Sequence, residues 1–319
     1  MACLNPLIGY RSREGRNEKG NWPVVFNVAS GYKDMEVVVP CGKCIGCRLD
    51  RSKDWAGRCL QESSLWDNNY FLTLTYEDKC LPDNFSLRSK DLQDFWKRLR
   101  KATFSQNGLV KRVPEFDEIN GKRTLVNGIR YFACGEYGDR SCRPHYHAIC
   151  FNLEIPDLIP YKRSFDGSQL WLSNWLSSIW GFGHVVIGAV TFETCAYVAR
   201  YVTKKIYGLA APEHYGDREP EFCRSSNRPG IGFNWFIDYA DEVARNGFVL
   251  INGHKNPVPR YYLKKLEERD KQSYLKYKDK RAIVAKRTKD SPDKTPERLA
   301  TREELLKYRS TLLRRDKAV

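Results

Sequence analysis

Alternating apolar and polar positions recur between residues 36 and 190 of the chain. A period of two is typical of β-strands, because successive side chains point to opposite faces of a sheet. The pattern predicts strands at 36–39, 69–76, 129–136, 145–152 and 184–190. A short loop rich in Gly, Asp, Ser and Pro separates the third strand from the fourth, so we expect these two to pair as an antiparallel hairpin.

Apolar residues at helical spacing predict the elements between the strands. The clearest set falls at i, i+3, i+4 and i+7 and consists of Leu92, Phe95, Trp96 and Leu99. These residues line one face of a helix whose other face is basic. Further helices are expected at 46–63, 170–179, 192–207 and through most of 260–319. Thr191 is a suitable N-cap for the helix that begins at residue 192. The polar, glycine-rich residues 1–35 predict no regular element.

The order of these elements indicates the fold class. A succession of strand, helix, strand, strand, helix, strand and helix is typical of an α+β fold, in which helices cover a mainly antiparallel sheet. We divide the chain into an N-terminal segment at 1–68, a core at 69–210, and a basic, mainly helical C-terminal region at 211–319.

The chain is strongly basic, with a formal charge of +15 at neutral pH and an isoelectric point near 9.3. Residues 260–319 hold twenty lysines and arginines against ten acidic residues, so this region carries most of the excess charge. This distribution favours a polyanionic partner, nucleic acid before membrane, over a surface that is basic only for solubility.

Two expectations about location follow from the apolar content. The sequence has no apolar run long enough to span a bilayer, and its start lacks the apolar core of a signal peptide. We therefore expect the protein to stay in a cytoplasm. There, its eleven cysteines, an odd number, are not expected to form a disulfide framework.

His145 and His147 are the first candidates for chemistry. Residues two apart in a strand lie on one face, about 6.6 Å apart along the chain. Both imidazoles can therefore converge on one divalent cation, while Tyr146 points to the other face. A hard cation also needs a carboxylate. Glu136, at the end of the preceding strand, lies beside the histidines if the two strands pair.

These residues also have structural interpretations. Pairs of histidines two residues apart are common without a metal, because histidine has many other roles in proteins. Glu136 could instead form an ion pair with Arg140 or Arg143 in the loop between the two strands. The spacing alone leaves both interpretations open.

Tyr197 and Tyr201 are four residues apart in a predicted helix, so they share one face, on which Lys204 or Lys205 can also lie. Aromatic stripes of this kind are usually core packing, but lysines on the same face argue against deep burial. A tyrosine hydroxyl can attack phosphorus when a metal polarises the phosphate and a lysine stabilises the developing charge. A second tyrosine permits a second transesterification without release of the first strand.

Three stretches together resemble the motifs of HUH endonucleases, which initiate rolling-circle replication. They are FLTLTY at 71–76, RPHYHAICF at 143–151 and YVARYVTKK at 197–205. The middle stretch departs slightly from the pattern, since tyrosine occupies a position that is hydrophobic in the family. With PCGKCIGCR near its start and GEYG before the histidines, the chain resembles the replication initiators of gokushoviruses, small single-stranded DNA phages of the Microviridae.

The resemblance implies a fold and a role for each motif. The fold would be an RRM-like antiparallel sheet, with the histidine strand central and the tyrosine helix packed over it. The implied ligands for Mg2+ or Mn2+ are Glu136, His145 and His147. The implied nucleophiles are Tyr197 and Tyr201, assisted by Lys204 and Lys205. Thr73 and Thr75 match the first motif, whose role the resemblance does not specify.

The implied activity is metal-dependent, sequence-specific nicking and joining of single-stranded DNA through a 5′-phosphotyrosine intermediate. The implied partner is the origin of a circular viral DNA, in the cytoplasm of a bacterial host. Because the sequence has no Walker-type motif, a host helicase and replication machinery are further expected partners. Two other classes stay open, namely a zinc-stabilised nucleic-acid-binding protein without catalysis and an HUH relaxase or transposase.

Cysteines with C-x2-C-x2-C spacing predict a knuckle near the start of the chain. A fourth thiolate would complete a tetrahedral zinc site, and an iron–sulfur cluster or free thiols are the alternatives. The candidate ligands are Cys41, Cys44, Cys47 and Cys59, with Cys3 or Cys80 as replacements for the last. Thiolates do not favour Mg2+, so this site would be distinct from the histidine site.

Overall fold

The computed structural model describes residues 3–18, 20–105, 112–116, 123–138, 141–164, 167–200, 210–287 and 291–312. Contacts divide the chain into two units. The terminal unit comprises Met1–Arg51 and Ile283–Arg314, and the central unit comprises Ser52–Ala282 and Arg315–Val319. The terminal unit thus joins residues from both ends of the sequence. The division at 1–68, 69–210 and 211–319 stays a prediction from composition.

All five predicted strands are present among the described residues. The strands are β1 (Leu7–Ser12), β2 (Val24–Val25), β3 (Gly31–Val39), β4 (Asn69–Thr75), β5 (Arg112–Phe116), β6 (Arg123–Asn127), β7 (Arg130–Tyr137), β8 (Pro144–Phe151), β9 (Ile159–Arg163), β10 (Gln169–Leu172), β11 (Val185–Ala189), β12 (Phe222–Ser225), β13 (Phe248–Ile251) and β14 (His254–Pro257). The segment 1–35, for which no element was predicted, contributes to an antiparallel sheet with the order β2-β1-β3.

The described helices cover most of the predicted helical positions. They are α1 (Ile45–Ser63), α2 (Ser89–Ser105), α3 (Asn174–Trp180), α4 (Phe192–Arg200), α5 (Ala210–Tyr215), α6 (Phe233–Asn246), α7 (Arg260–Arg269), α8 (Lys271–Arg287) and α9 (Pro296–Leu312). The part of the predicted helix that follows Arg200 lies outside the described residues. Within the part of the chain that the structure describes, each helix is too short or too polar to cross a membrane.

The predicted helix at 170–179 is wrong in its first half. Residues Gln169–Leu172 form β10, in which Trp171 pairs with Ile187 of β11. Helix α3 begins only after Ser173, whose hydroxyl accepts a hydrogen bond from the backbone N–H of Leu176 at 2.9 Å. The short apolar run fits either period, and strand pairing decides it together with this N-cap.

The central unit contains a seven-stranded antiparallel sheet with the order β12-β7-β8-β4-β11-β10-β9. The histidine strand β8 therefore lies inside the sheet, between β7 and β4. Helices cover both faces of the sheet, which confirms the predicted α+β class with a large antiparallel sheet.

The side chains of β8 alternate between two apolar clusters. Tyr146 and Ala148 belong to the cluster formed with α2 and α3, in which Trp96 and Trp180 are also buried. Ile149 belongs to the cluster on the opposite face, with residues of α1 and α4. The positions of β8 that share the face of Ile149 include both histidines. The functional residues therefore lie on the α4 side of the sheet.

A buried ion pair holds α1 against the strand that carries Glu136. The Nε atom of Arg130 on β7 lies 2.5 Å from Oε1 of Glu62 on α1. Glu62 also accepts hydrogen bonds from Nε1 of Trp66 at 3.2 Å and from the backbone N–H of Gly232 at 2.6 Å. A buried carboxylate is stable only with such partners, so these contacts fix the position of α1 beside β7.

Candidate active site

Strand register brings the predicted metal ligands together. In the pairing of β7 with β8, Glu136 lies directly opposite His145. In the pairing of β8 with β4, His147 lies opposite Thr73. Directly opposed residues of antiparallel strands place their side chains on the same face, about 4.5–5.5 Å apart at Cβ. The four side chains therefore form one group in the middle of the sheet.

The carboxylate of Glu136 is the centre of this group. Its Oε1 atom lies 2.7 Å from Nε2 of His145 and 2.9 Å from Nε2 of His147. Glu136 and His147 are buried, whereas the side chain of His145 keeps 17% of its exposure. Access to the group is therefore from the side of His145.

The alternative partners proposed for Glu136 do not account for its position. Arg143 donates from Nη1 to Oδ1 of Asp78 at 2.6 Å and from Nη2 to the carbonyl oxygen of Tyr76 at 3.1 Å. Arg140 lies outside the described residues. Among the described side chains, the partners of Glu136 are imidazoles and a phenol rather than a guanidinium.

The histidines keep Glu136 ionised. Burial alone would raise the pKa of this carboxyl, but the hydrogen bonds and positive charge of His145 and His147 outweigh burial and hold the pKa well below its usual value. The group therefore presents a carboxylate anion and two imidazoles to whatever lies between them.

The outer nitrogen of each histidine has a partner that sets its orientation. Nδ1 of His145 lies 3.1 Å from the carbonyl oxygen of Arg143, which can only accept, so Nδ1 carries the proton. Nδ1 of His147 lies 3.0 Å from the hydroxyl oxygen of Thr73. In a neutral imidazole whose Nδ1 is protonated, Nε2 holds a lone pair. Both lone pairs then point toward Oε1 of Glu136, an arrangement that a cation between them stabilises.

This donor set fits a divalent cation. The ligating atoms of Glu136, His145 and His147 all lie within 4.8 Å of one another. Protein metal sites commonly combine a carboxylate with histidines whose other nitrogen donates to a carbonyl or hydroxyl group. The predicted ligand residues are thus together, and the structure identifies a possible metal-binding group without identifying the ion.

The sequence pattern assigned no role to Phe71, although it contacts the group. Its ring stacks on the ring of His147, with centroids 5.5 Å apart and an interplanar angle of 10°. The alternation in FLTLTY could have indicated it, because Phe71, Thr73 and Thr75 occupy one face of β4. Phe71 and Thr73 together limit the movement of the His147 ring.

We predict that Thr73→Val lowers the affinity of the group for Mn2+ by about 10- to 100-fold. Valine keeps the shape of threonine but removes the hydroxyl that fixes Nδ1 of His147. Calorimetric titration with Mn2+ measures the change. Thr75→Val is the matched control, since the hydroxyl of Thr75 donates instead to the carbonyl oxygen of His184 at 3.2 Å. An unchanged affinity in Thr73→Val would contradict the assigned role.

Tyr197 reaches the same group from helix α4. Its ring packs edge-on against His147 and Phe71, with centroid distances of 5.0 and 6.1 Å. Its hydroxyl donates to Oε1 of Glu136 at 3.4 Å. The guanidinium of Arg200 lies 5.4 Å from the centre of the Tyr197 ring. A predicted nucleophile and the predicted ligands are therefore in contact.

The other predicted residues of the tyrosine motif are not described. Tyr201, Lys204 and Lys205 lie outside the described residues, so their roles stay predictions. Tyr146, between the two histidines, is buried on the opposite face as predicted. Its hydroxyl bonds the hydroxyl of Tyr76 at 2.8 Å, which anchors β8 from behind.

The cysteine knuckle has a different fourth member from the one first expected. The sulfur atoms of Cys3, Cys41, Cys44 and Cys47 lie within 4.8 Å of one another. Cys59 is wrong as the fourth ligand, because it lies twelve residues beyond Cys47 in helix α1, about 18 Å along the axis. It is buried against Cys195 and others, and burial raises the pKa of its thiol. Cys80 packs instead against the cluster under α2 and α3.

Comparison with known proteins identifies the family. The family model of replication-associated protein ORF2 matches residues 69–206, which contain all three motifs. Replication-associated protein ORF2 of Spiroplasma virus 4 is 36% identical over 306 residues, covering 90% of this chain and 88% of the relative. Replication-associated protein VP4 of Bdellovibrio phage phiMH2K is 31% identical over 291 residues, covering 90% and 84%. No solved structure matches the chain.

A further relative, replication-associated protein ORF4 of Chlamydia phage 1, is 29% identical over 255 residues, covering 77% of this chain and 58% of the relative. The class of protein is thus that of the phage replication-associated proteins. The chain belongs to the family of replication-associated protein ORF2, which confirms its predicted resemblance to phage replication initiators.

Proposed function

We propose that the protein initiates rolling-circle DNA replication by nicking and rejoining single-stranded DNA at a specific sequence. The observation that carries the proposal is the convergence on Oε1 of Glu136. Nε2 of His145, Nε2 of His147 and the hydroxyl of Tyr197 all lie within 3.4 Å of this one oxygen atom. A cation site and a phenol nucleophile in contact are what cleavage by a tyrosine requires.

Each residue of the group has a part in this reaction. Glu136, His145 and His147 hold Mn2+ or Mg2+, and the mixture of nitrogen and oxygen donors suits Mn2+ better than Mg2+, which prefers oxygen. When bound, the cation polarises the scissile phosphate and neutralises developing charge. Thr73 and Phe71 keep the ring of His147 in its ligating orientation.

Tyr197 supplies the attacking oxygen. Its phenolic oxygen forms a bond to phosphorus while the bond from phosphorus to the 3′-oxygen breaks, which leaves a 5′-phosphotyrosine and a free 3′-hydroxyl. The phenol gives up its proton in this step, and the carboxylate that it faces, Glu136, already accepts that proton in a hydrogen bond. Lys204 or Lys205 stabilises the charge on the phosphoryl oxygens. Tyr201 attacks in a second transesterification that rejoins the strand.

The order of elements supports an RRM-like HUH fold. From β4 to β11 the chain runs β4, α2, β7, β8, α3 and β11, apart from the hairpins β5-β6 and β9-β10. This is the β-α-β-β-α-β succession of split βαβ folds. The four strands lie in the order β7-β8-β4-β11, with the histidine strand inside. Helix α4 follows β11 and packs on β7 and β8, which carry the metal-binding group.

The partners follow from the family and the charge. The relatives are named as replication-associated proteins of phages, so we propose the viral DNA origin as substrate, in the cytoplasm of the bacterial host. The net charge of +15 supplies the contacts to phosphate that binding of DNA requires. A host helicase unwinds the duplex ahead of the replication machinery.

The test is incubation of the full chain with single-stranded oligonucleotides from the viral origin region and Mn2+. We expect a protein–DNA adduct that survives SDS, and none when EDTA is present. A protein that binds DNA but forms no adduct on any segment of the viral strand would instead be the non-catalytic nucleic-acid-binding protein. Joining activity only on plasmid transfer or transposon-end sequences would favour a relaxase or transposase.

A further inference from the structure

The four sulfurs of the terminal unit have the spacing of a metal tetrad. Sγ of Cys3 lies 3.5 Å from Sγ of Cys41 and 3.8 Å from Sγ of Cys44. Zinc binds thiolate sulfur at about 2.3 Å, so the corners of a regular tetrahedron around it are about 3.8 Å apart. A disulfide would require about 2.05 Å. The observed distances match a shared ion and exclude a bond between these sulfurs.

Backbone N–H groups also converge on these sulfurs. Cys41 Sγ accepts from the N–H groups of Lys43 and Cys44 at 3.4 and 3.3 Å. Cys44 Sγ accepts from those of Leu4 and Cys47, both at 3.4 Å. Cys3 Sγ accepts from the N–H of Cys41 at 3.2 Å. Hydrogen bonds from the main chain are the usual outer contacts of metal-bound thiolates, because they offset the negative charge on sulfur.

The tetrad occupies the place where the terminal unit would otherwise need an apolar core. In the described part of this unit, the buried apolar side chains are Leu4, Cys44 and Leu299. Apolar residues of its sheet remain exposed, for example Ile8 and Val38 at 54% and 59%. So few buried side chains cannot offset the conformational entropy of ordering the unit. Small units of this kind are commonly stabilised by a structural metal.

Helix α9 contacts the same cluster from the other end of the chain. Leu299 and Leu306 pack with Leu4 and the cysteines. Glu303, on the same face of α9, accepts a hydrogen bond from Nδ2 of Asn5 at 3.1 Å. Residues 299, 303 and 306 are spaced as i, i+4 and i+7, so one stripe of α9 faces the cysteine cluster.

We propose that Cys3, Cys41, Cys44 and Cys47 bind a structural Zn2+ that joins the N-terminal segment to helix α9. Four thiolates in a closed tetrad favour Zn2+ over Mg2+ or Mn2+, and leave no position for substrate. The ion therefore stabilises the terminal unit and takes no part in cleavage of DNA. The proposal is independent of the proposed nicking activity, because it concerns other residues and its test involves no DNA.

The first test measures metal in the full chain purified under reducing conditions without chelator. We expect about one Zn2+ per chain by elemental analysis. Replacement by Co2+ should give the intense visible absorption of tetrahedral thiolate coordination. Cys3→Ser should reduce the bound zinc and change this spectrum, whereas Cys142→Ser should not, since Cys142 is exposed and outside the tetrad.

The second test measures amide hydrogen exchange of the wild-type chain with and without zinc. Removal of zinc should speed exchange in residues 296–312 at least about tenfold, because binding free energy of a structural zinc is folding free energy. Exchange in β4 and β8 should stay unchanged, and added Zn2+ should restore protection.

Three results would overturn the proposal. They are a chain that neither contains nor takes up zinc, iron in place of zinc, and exchange in 296–312 that does not respond to zinc. Because the wild-type chain carries both tests, a failure of Cys3→Ser to fold does not affect them.

Discussion

Tyr197→Phe combined with Tyr201→Phe should abolish the covalent adduct with origin DNA. Each substitution removes only the hydroxyl oxygen that would bond to phosphorus. The ring of residue 197 keeps its packing against His147 and Phe71. Loss of a nucleophile lowers catalysis by at least about 10^4-fold, so the double variant should show no adduct on denaturing gels. Binding of the oligonucleotide, measured by fluorescence anisotropy, should change by less than about threefold, because the charge of the chain is unchanged.

The single variants separate the two tyrosines. Because the hydroxyl of Tyr197 lies in contact with Glu136, we expect Tyr197→Phe alone to slow the first cleavage. Tyr239→Phe is the matched control, since Tyr239 is exposed on α6 and outside the group, and it should cleave at the wild-type rate. An adduct formed at the wild-type rate by the double variant would show that neither tyrosine is the nucleophile.

Glu136→Gln should lower the rate of cleavage about 10^3-fold at a fixed, low concentration of Mn2+. The amide keeps the shape of the carboxylate but removes the negative charge on which both histidines converge. Charge stabilisation by a catalytic metal contributes several kcal/mol, and each 1.36 kcal/mol is a factor of ten in rate. The measurement is the initial rate of cleavage as a function of Mn2+ concentration.

The dependence on Mn2+ distinguishes a ligand from a merely structural residue. If Glu136 binds the cation, the curve for Glu136→Gln should shift to higher Mn2+ concentration, and the melting temperature should no longer rise when Mn2+ is added. Glu154→Gln, which changes an exposed carboxylate after β8, should match the wild type. Equal Mn2+ curves for wild type and Glu136→Gln would contradict the role of Glu136 in metal binding.

Local periodicity was sufficient to predict most of the sheet and the shared face of the ligands. The alternation in FLTLTY and in HYHAICF fixes which residues of β4 and β8 face the same way. The antiparallel hairpin of β7 and β8 then brings Glu136 to His145. The orientation of His147 by Thr73 was not predicted, because the strand neighbours of β8 are a property of the whole sheet.

The cysteine tetrad shows where local patterns are insufficient. Cys41, Cys44 and Cys47 are close in sequence, so their spacing predicts a knuckle. Cys3 is 38 residues before Cys41, and the strands β1 and β3 that bring it there have no distinctive signal in the polar segment 1–35. The contact of α9 with the same cluster joins the two ends of the chain, which no local period encodes. At 170–179, an apolar run fitted both periods, and pairing with β11 decided its structure.

The most direct test of the proposed mechanism is to identify the amino acid that carries DNA in the adduct. The adduct is digested with nuclease and trypsin, and the modified peptide is sequenced by mass spectrometry. Trypsin cuts after Arg200, which places Tyr197 and Tyr201 in different peptides. We predict a nucleotide joined through its 5′-phosphate to Tyr197 or Tyr201. A nucleotide attached to any other residue, or joined through a 3′-phosphate, would contradict the mechanism.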